Sequence, residues 1–272
     1  MFRHLSAPSG ATPAATTEAV ARGANRLTGV RQEIKYLMSP EIGARVMAVV
    51  EASMPAKIVD GRAFSHRVSA YLDAPDHELV RQGLARGSQA LKLRVKEYYH
   101  VDQGALRVGD SCWFEVKARL GTMVEKSRFV VDRGSVLEAL REGPDRPADP
   151  ETRAAIDSFE AVRRGRPLTP IIVAHYTRWT YQDSESRMRI TLDKGTSFHM
   201  PPRGLYTPET PTGARANLPP PLEMEGRWIM EVKSVGPAAP WLEDALAGVE
   251  PADYSKFVAG LRAAERRGLL PV

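Results

Sequence analysis

Cys112 is the single cysteine in a chain of 272 residues. An intramolecular disulfide and any cysteine-based zinc cluster are therefore excluded, which points to a reducing compartment or to indifference to redox conditions. Its neighbours Trp113 and Phe114 mark it as a buried structural thiol. No uninterrupted apolar run reaches the ~18 residues of a membrane span, and none near the start has the form of a signal peptide. Residues 1–28 are rich in Ala, Thr, Pro and Ser and read as a disordered tail. Residues 29–268 read as one domain, and a cytoplasmic protein with no membrane segment is expected. The six histidines, His4, His66, His77, His100, His175 and His199, lack the close spacing of a metal site. There is no Gly-x-x-x-x-Gly-Lys-Ser/Thr loop, no Gly-x-Ser-x-Gly elbow and no His-Glu-x-x-His helix. Catalysis is left to carboxylates, lysine and arginine.

Those types are plentiful, with 38 Lys and Arg against 33 Asp and Glu, a formal net charge of +5. The mild surplus suggests an anionic ligand. Cations interleaved with acids, and no run of exposed aromatics, speak against nucleic acid.

The pattern of the charges is more informative than their number. Glu33-Ile34-Lys35, Glu115-Val116-Lys117 and Glu231-Val232-Lys233 repeat one Glu-x-Lys theme. On a strand, alternate side chains share a face, so each pair sets an acid and a base side by side, roughly 6–7 Å apart. Leu91-Lys92-Leu93-Arg94-Val95-Lys96 and Met188-Arg189-Ile190-Thr191-Leu192-Asp193 alternate in the same way. Such a face is either the wet side of an antiparallel sheet or the inside of a barrel that holds a charged ligand. Lys92, Arg94 and Lys96 on one face repel one another, which a solvated face tolerates but does not require.

Period-2 patterning predicts eight strands, at 30–37, 67–72, 90–99, 112–119, 124–131, 171–181, 187–193 and 227–235. Helices are predicted at 40–54, with Ser39 as cap and Pro40 in the first turn, and at 135–141, 151–164, 241–246 and 252–266. The Pro-rich stretch 200–226 predicts a long surface loop. Strands joined by hairpins or single helices, without βαβ alternation, argue for an antiparallel α+β fold.

Carboxylates with Lys and Arg suit phosphoryl transfer, where charge and positioning carry most of the catalysis. Arg offers bidentate donors to phosphate, Lys a mobile point charge, and one or two carboxylates can hold Mg²⁺ or Mn²⁺ against the same oxygens. Trp179 and Tyr181, flanking a strand beside Arg178, read either as core packing or as a platform for a nucleotide base.

Placed in order, the motifs resemble a known family. Arg31-Gln32-Glu33-Ile34-Lys35-Tyr36, Ser69-Ala70-Tyr71-Leu72-Asp73, Lys92-Leu93-Arg94, Phe114-Glu115-Val116-Lys117, Lys126-Ser127-Arg128, Arg187 to Asp193, Glu231-Val232-Lys233 and Ser255-Lys256-Phe257 resemble the catalytic domain of the vacuolar transporter chaperone (VTC) polyphosphate polymerases. The resemblance covers residues 30–261. It implies a triphosphate tunnel fold, an eight-stranded antiparallel closed β-barrel with flanking helices. It implies phosphate binding by Arg31, Lys35, Lys92, Arg94, Lys117, Lys126, Arg128, Arg178, Arg189, Lys233 and Lys256, with Lys35, Arg94, Arg189 and Glu231 central to catalysis. Glu231, with Glu33 and Glu115 assisting, is the implied ligand of Mn²⁺ or Mg²⁺. The implied activity is polyphosphate synthesis from ATP, on triphosphate or polyphosphate ligands. The related CYTH branch usually opens on Glu-x-Glu-x-Lys. Arg31 in place of the first acid favours the polymerase branch over a simple triphosphatase. Hydrolysis of triphosphates by the same fold, and a polyphosphate-binding module without turnover, are the alternatives.

Overall fold

A computed structural model describes residues 32–270, apart from 121, 122, 184 and 186 and the side chains of 119, 120 and 123–125. Arg31 and the stretch read as a tail lie outside the described residues. Eight strands hydrogen-bond in one antiparallel series. The order is β1 (Gln32–Met38), β10 (Trp228–Ser234), β8 (Met188–His199), β7 (Thr169–Gln182), β2 (Phe64–Asp73), β3 (Lys92–Asp102), β5 (Ser111–Leu120) and β6 (Met123–Asp132). Two short strands lie off this path, β4 (Ala105–Val108) on β3 and β9 (Glu223–Glu225) on β8.

The sheet therefore has ten strands and is open, which corrects the expectation of a closed eight-stranded barrel. β1 and β6 are its two ends, with no backbone pairing between them among the described residues. The outer edge of β1 is occupied instead by the segment before the last helix: Ala252 N–H donates to Lys35 O at 2.8 Å, and Tyr36 bridges Pro251. Side chains span the gap, with Lys117 Nζ of β5 3.1 Å from Glu33 Oε1 of β1. The sheet curls until β1 faces β5, and an ion pair, not a ladder of backbone hydrogen bonds, joins them.

The register assigns the faces. Lys35 lies opposite Glu231, Lys233 opposite Arg189, Arg178 opposite Asp193, Tyr71 opposite Arg94, Arg94 opposite Glu115 and Glu115 opposite Arg128. Directly opposed residues point to the same side of a sheet, so all of these share one inner face. Their chain neighbours point outward into a core. Ile190, Leu192, Met230 and Val232 pack there on Val46 and Val50 of α1 (Pro40–Ser53), whose N-terminus is capped by Ser39 Oγ accepting from Ile42 N–H at 3.3 Å. Val95, Phe114 and Phe129 meet Val136 and Leu140 of α3 (Val136–Arg141) and Phe159 of α4 (Pro150–Arg163). Cys112 belongs to this core, fully buried, with its thiol pushed up to about 12 by burial. The Pro-rich stretch lies on the same outer side, where Leu205, Tyr206 and Ala214 are buried and Gly213 N–H donates to Glu97 Oε1 at 3.0 Å.

One end of the inner face is covered. There α6 (Lys256–Glu265) sets Phe257 and Leu261 against Tyr71, Ile172 and Val80, the last from α2 (Glu78–Arg86). The sequence reading did not foresee α2, whose amide groups Leu79 and Val80 N–H are capped from a distance by the buried Asp73 carboxylate. Gly260 allows the close approach of α6, because a Cβ there would lie 2.5 Å from Ile172 Cγ2. A helical Gly→Ala change ordinarily stabilises by about 1 kcal/mol. At Gly260 overpacking of ~1–3 kcal/mol outweighs it, so Gly260→Ala is expected to lower the denaturant midpoint, and a raised midpoint would contradict this packing. No helix among the described residues is long and apolar enough to cross a membrane.

Candidate active site

The inner face encloses a cavity of about 80 Å³. Lys35, Lys92, Arg94, Lys96, Lys117, Arg178 and Lys256 line it, together with Tyr71, Tyr176, Ile229, Tyr254 and Ser255. Six of these cations come from four different strands and the seventh from α6, so positive charge converges from several directions. The remaining residues expected from the sequence, Glu33, Glu115, Lys126, Arg128, Arg189, Glu231 and Lys233, share the face around the cavity.

Four carboxylates divide these cations into three groups. Glu33 accepts from Lys117 at 3.1 Å and Lys233 at 2.9 Å and lies 3.7 Å from Lys35. Lys233 also reaches Glu231 at 3.1 Å, so the two carboxylates share one ammonium. Glu115 is a second centre, 1% exposed. Arg94 donates to its Oε2 through both Nε and Nη2, at 2.8 and 2.5 Å, and Lys126 and Lys96 lie 2.9 and 3.6 Å from Oε1. Asp193 is the third, forked by Arg178 at 2.5 and 2.6 Å and bonded by Lys256 at 2.6 Å.

Electrostatics follow from this grouping. Burial raises the pKa of Glu115 and Glu231, yet the cations win. Arg94, Lys96 and Lys126 hold Glu115 well below the usual range, and Lys233, Arg178, Lys117 and Lys35 do the same for Glu231. Asp193 is drawn down to about 2, its burial overcome chiefly by Arg178 and Lys256. The lysines answer in the opposite sense, burial and crowding bringing Lys96 and Lys126 down to about 8.

Lys92 stands apart. Its ammonium donates to Ser88 O at 2.8 Å, and among the described residues no carboxylate lies within ion-pair distance of it. Burial, then Lys117, Lys35 and Arg94, bring it down to about 7. Only the protonated form attracts phosphate, so tripolyphosphate affinity is expected to fall as pH rises through about 7. Lys92→Arg, which cannot lose its charge, is expected to flatten that part of the profile relative to wild type in titration calorimetry. Identical profiles would contradict the role.

For a divalent cation, the donor set is a pair. Glu33 and Glu231 come together, whereas Glu115 is committed to three cations elsewhere on the face. No group of three or more His, Cys, Asp or Glu side chains suited to a metal occurs among the described residues. Two carboxylates fit Mg²⁺ or Mn²⁺, ions that commonly complete their shells with water and substrate phosphates.

Several residues of the face went unassigned in the sequence reading. Asp193 ends the alternating run that contains Arg189, and Lys96 continues the run of Lys92 and Arg94, so the signal for both was their parity. Tyr176 lies beneath two cations, with Lys256 Nζ 4.5 Å and Arg178 Cζ 5.2 Å from its ring centre, and only the tertiary fold shows it. Trp179 and Tyr181 turn outward into the core beside α1, which removes them as a platform for a base.

Fold and inner face together define an antiparallel-sheet protein with a cationic cleft. The VTC domain model matches residues 30–264, and the chain belongs to that family. No curated protein matches the chain. Among solved structures, it is similar to the PH1819 protein of Pyrococcus horikoshii OT3, with 12% identity, a TM-score of 0.42 and coverage of 86% of this chain and 99% of that one. It is also similar to a Bacillus halodurans protein provisionally assigned as an adenylate cyclase, with 13% identity, a TM-score of 0.45 and coverage of 89% and 92%.

Proposed function

We propose that this protein transfers phosphoryl groups from ATP to a growing polyphosphate chain. The observation that carries the reading is the charge balance of the inner face. Eleven cations expected or observed there, Lys35, Lys92, Arg94, Lys96, Lys117, Lys126, Arg128, Arg178, Arg189, Lys233 and Lys256, stand against four carboxylates, Glu33, Glu115, Asp193 and Glu231. A surplus of that size suits a multiply charged anion. The cavity is far smaller than the ~300–1,000 Å³ of a drug-sized ligand, which suits a run of phosphate groups and leaves no room for a nucleoside inside.

In this reading Lys35, Lys92, Arg94 and Lys256 grip the phosphates of the donor, and Arg178 is oriented towards them by Asp193. A terminal phosphate oxygen of the acceptor chain attacks the γ-phosphorus of ATP, a new P–O bond forms, the bond to the β-phosphate oxygen breaks, and ADP leaves. No side-chain nucleophile takes part. Arg189 and Lys233 neutralise the acceptor beyond the reacting group. Glu231 and Glu33 would hold Mn²⁺ or Mg²⁺, which when bound supplies charge neutralisation on the transferred phosphoryl group.

Incubation of the purified protein with ATP and Mn²⁺ or Mg²⁺ tests this directly. Long-chain polyphosphate and ADP are the expected products. Free phosphate without polymer would replace the proposal with hydrolysis, and polyphosphate binding without turnover would reduce the protein to a binding module.

A further inference from the structure

The Pro-rich stretch 200–226, which the phosphate reading leaves without a role, is fastened to the outer face of the sheet at a cluster of histidines. His66 of β2, Tyr99 of β3, His175 of β7, and Ser197 and His199 of β8 share that face. Arg215 of the stretch reaches into the cluster twice. Its backbone N–H donates to Tyr99 Oη at 3.2 Å, and Tyr99 Oη lies 2.6 Å from His175 Nε2. Its guanidinium Nη1 lies 2.9 Å from His199 Nε2 and donates to Ser197 Oγ at 3.4 Å.

The partners of His199 fix its protonation state. A guanidinium only donates, so Nε2 must accept. The carbonyl of Pro219 only accepts, and Nδ1 lies 2.7 Å from it, so Nδ1 carries the proton. His199 is therefore neutral and in a single tautomer, with Ser197 Oγ 2.9 Å from the same Nε2. A proton added at Nε2 would set two N–H groups against each other across 2.9 Å.

The surroundings offer an added charge no counter-ion. Arg215 faces His199 from the stretch and His175 from β7; behind them stand His66 of β2, its ring 6.1 Å from that of His175, and His100 of β3. On β3, Tyr99 is held neutral by burial, and Glu97 is bound by Arg133. The two acids of β9, Glu223 and Glu225, stand opposite Phe198 and Thr196 on the other face of β8, and pair with Arg266 and Arg227. Among the described residues no carboxylate lies within ion-pair distance of Arg215. Burial, together with Arg215, lowers the pKa of His199 despite the Pro219 carbonyl, and burial followed by His66, Arg215 and His199 brings His175 down to about 3.

What the stretch covers is apolar. Its own Leu205, Tyr206 and Ala214 are buried. With Leu140 and Leu168, its Pro201, Pro202 and Leu205 line a cavity of about 350 Å³.

We infer that His199 and Arg215 form an acid-sensitive latch: the neutral imidazole accepts the guanidinium and holds the Pro-rich stretch on the sheet, and an imidazole that takes a proton from solvent releases it. Release opens the apolar cavity. The latch stands apart from the phosphate reading of the inner face.

A proton taken up on opening favours the open form ~10-fold for each pH unit below the ordinary histidine value of ~6.5, once for every histidine that charges. Hydrogen exchange followed by mass spectrometry from pH 7.5 to 5, normalised to the intrinsic rate at each pH, reads this population. Amides of residues 213–217 are expected to lose protection ~10-fold per pH unit where His199 alone charges, and ~100-fold where His175 follows, while amides of β2 and β7 keep theirs. His199→Gln offers Arg215 an acceptor and takes no proton, so it is expected to reduce that slope ~10-fold per unit. An unchanged slope in the variant, or wild-type protection independent of pH, would overturn the latch. If the variant does not fold, the Cε1–H resonance of His199 in the wild type decides. Its titration together with the loss of protection supports the latch, and its titration near pH ~6.5 with residues 213–217 still protected overturns it.

Discussion

Glu115→Ala is expected to destabilise the fold by about 3–5 kcal/mol, the cost of leaving buried charge without its partner. Arg94, Lys96 and Lys126 all converge on this carboxylate. The two lysines can shed protons to relieve the variant, whereas Arg94 cannot. A pH signature follows. In the wild type, Glu115 has a folded pKa well below its ordinary 4.5, so its contribution is complete above that value and is lost as pH falls through the folded pKa. In the variant the lysines are depressed further below their unfolded values, the unfolded chain binds more protons, and stability rises with pH. Urea denaturation from about pH 6 to 9 is expected to show the gap between variant and wild type narrowing upward, with added tripolyphosphate closing part of it. A variant as stable as wild type at pH 6 would mean that Glu115 is not the counter-ion of this cluster.

The second large effect concerns turnover. Glu231→Gln keeps the shape of the side chain and removes its charge. It is expected to lower metal-dependent phosphoryl transfer by ~100-fold or more, the scale of a lost preorganised electrostatic group. Tripolyphosphate binding without metal is expected to hold or tighten, because the change takes a negative charge away from Lys35, Lys117 and Lys233. This split separates a role in chemistry from a role in binding or folding. Unchanged turnover at limiting metal would remove Glu231 from the site.

Alternation made the eight strands of the main path legible, and with them the inner face: a residue's parity decides which side it takes, and Lys35, Arg94, Arg189 and Glu231 all obeyed it. The same parity would have added Lys96 and Asp193. Closure was not legible, because side-chain alternation assigns faces and carries no information about whether the first and last strands pair. That outcome turned on Pro251 and Ala252, residues with no strand pattern of their own, which take the edge of β1. Nor did the repeated Glu-x-Lys theme reveal that its members differ. Glu33 and Glu231 meet because β1 and β10 are neighbours, while Glu115 lies across the cleft among other cations. β4 and β9 were too short to show a period, and α2 depends on a carboxylate several residues before it.

Among the described residues β1 finds its only strand partner in β10, with Gln32 opposite Ser234. Almost the whole domain must be made before the first strand can dock. A nascent chain therefore carries Glu33 and Lys35 without their strand partner through most of synthesis, and its charged cleft is complete only after the strand bearing Glu231 and then Lys256 of α6 have been made. Pairing across so long a separation carries a high loop-closure cost, which slows folding. Until β10 is made, the chain lacks the two-carboxylate corner of Glu33 and Glu231.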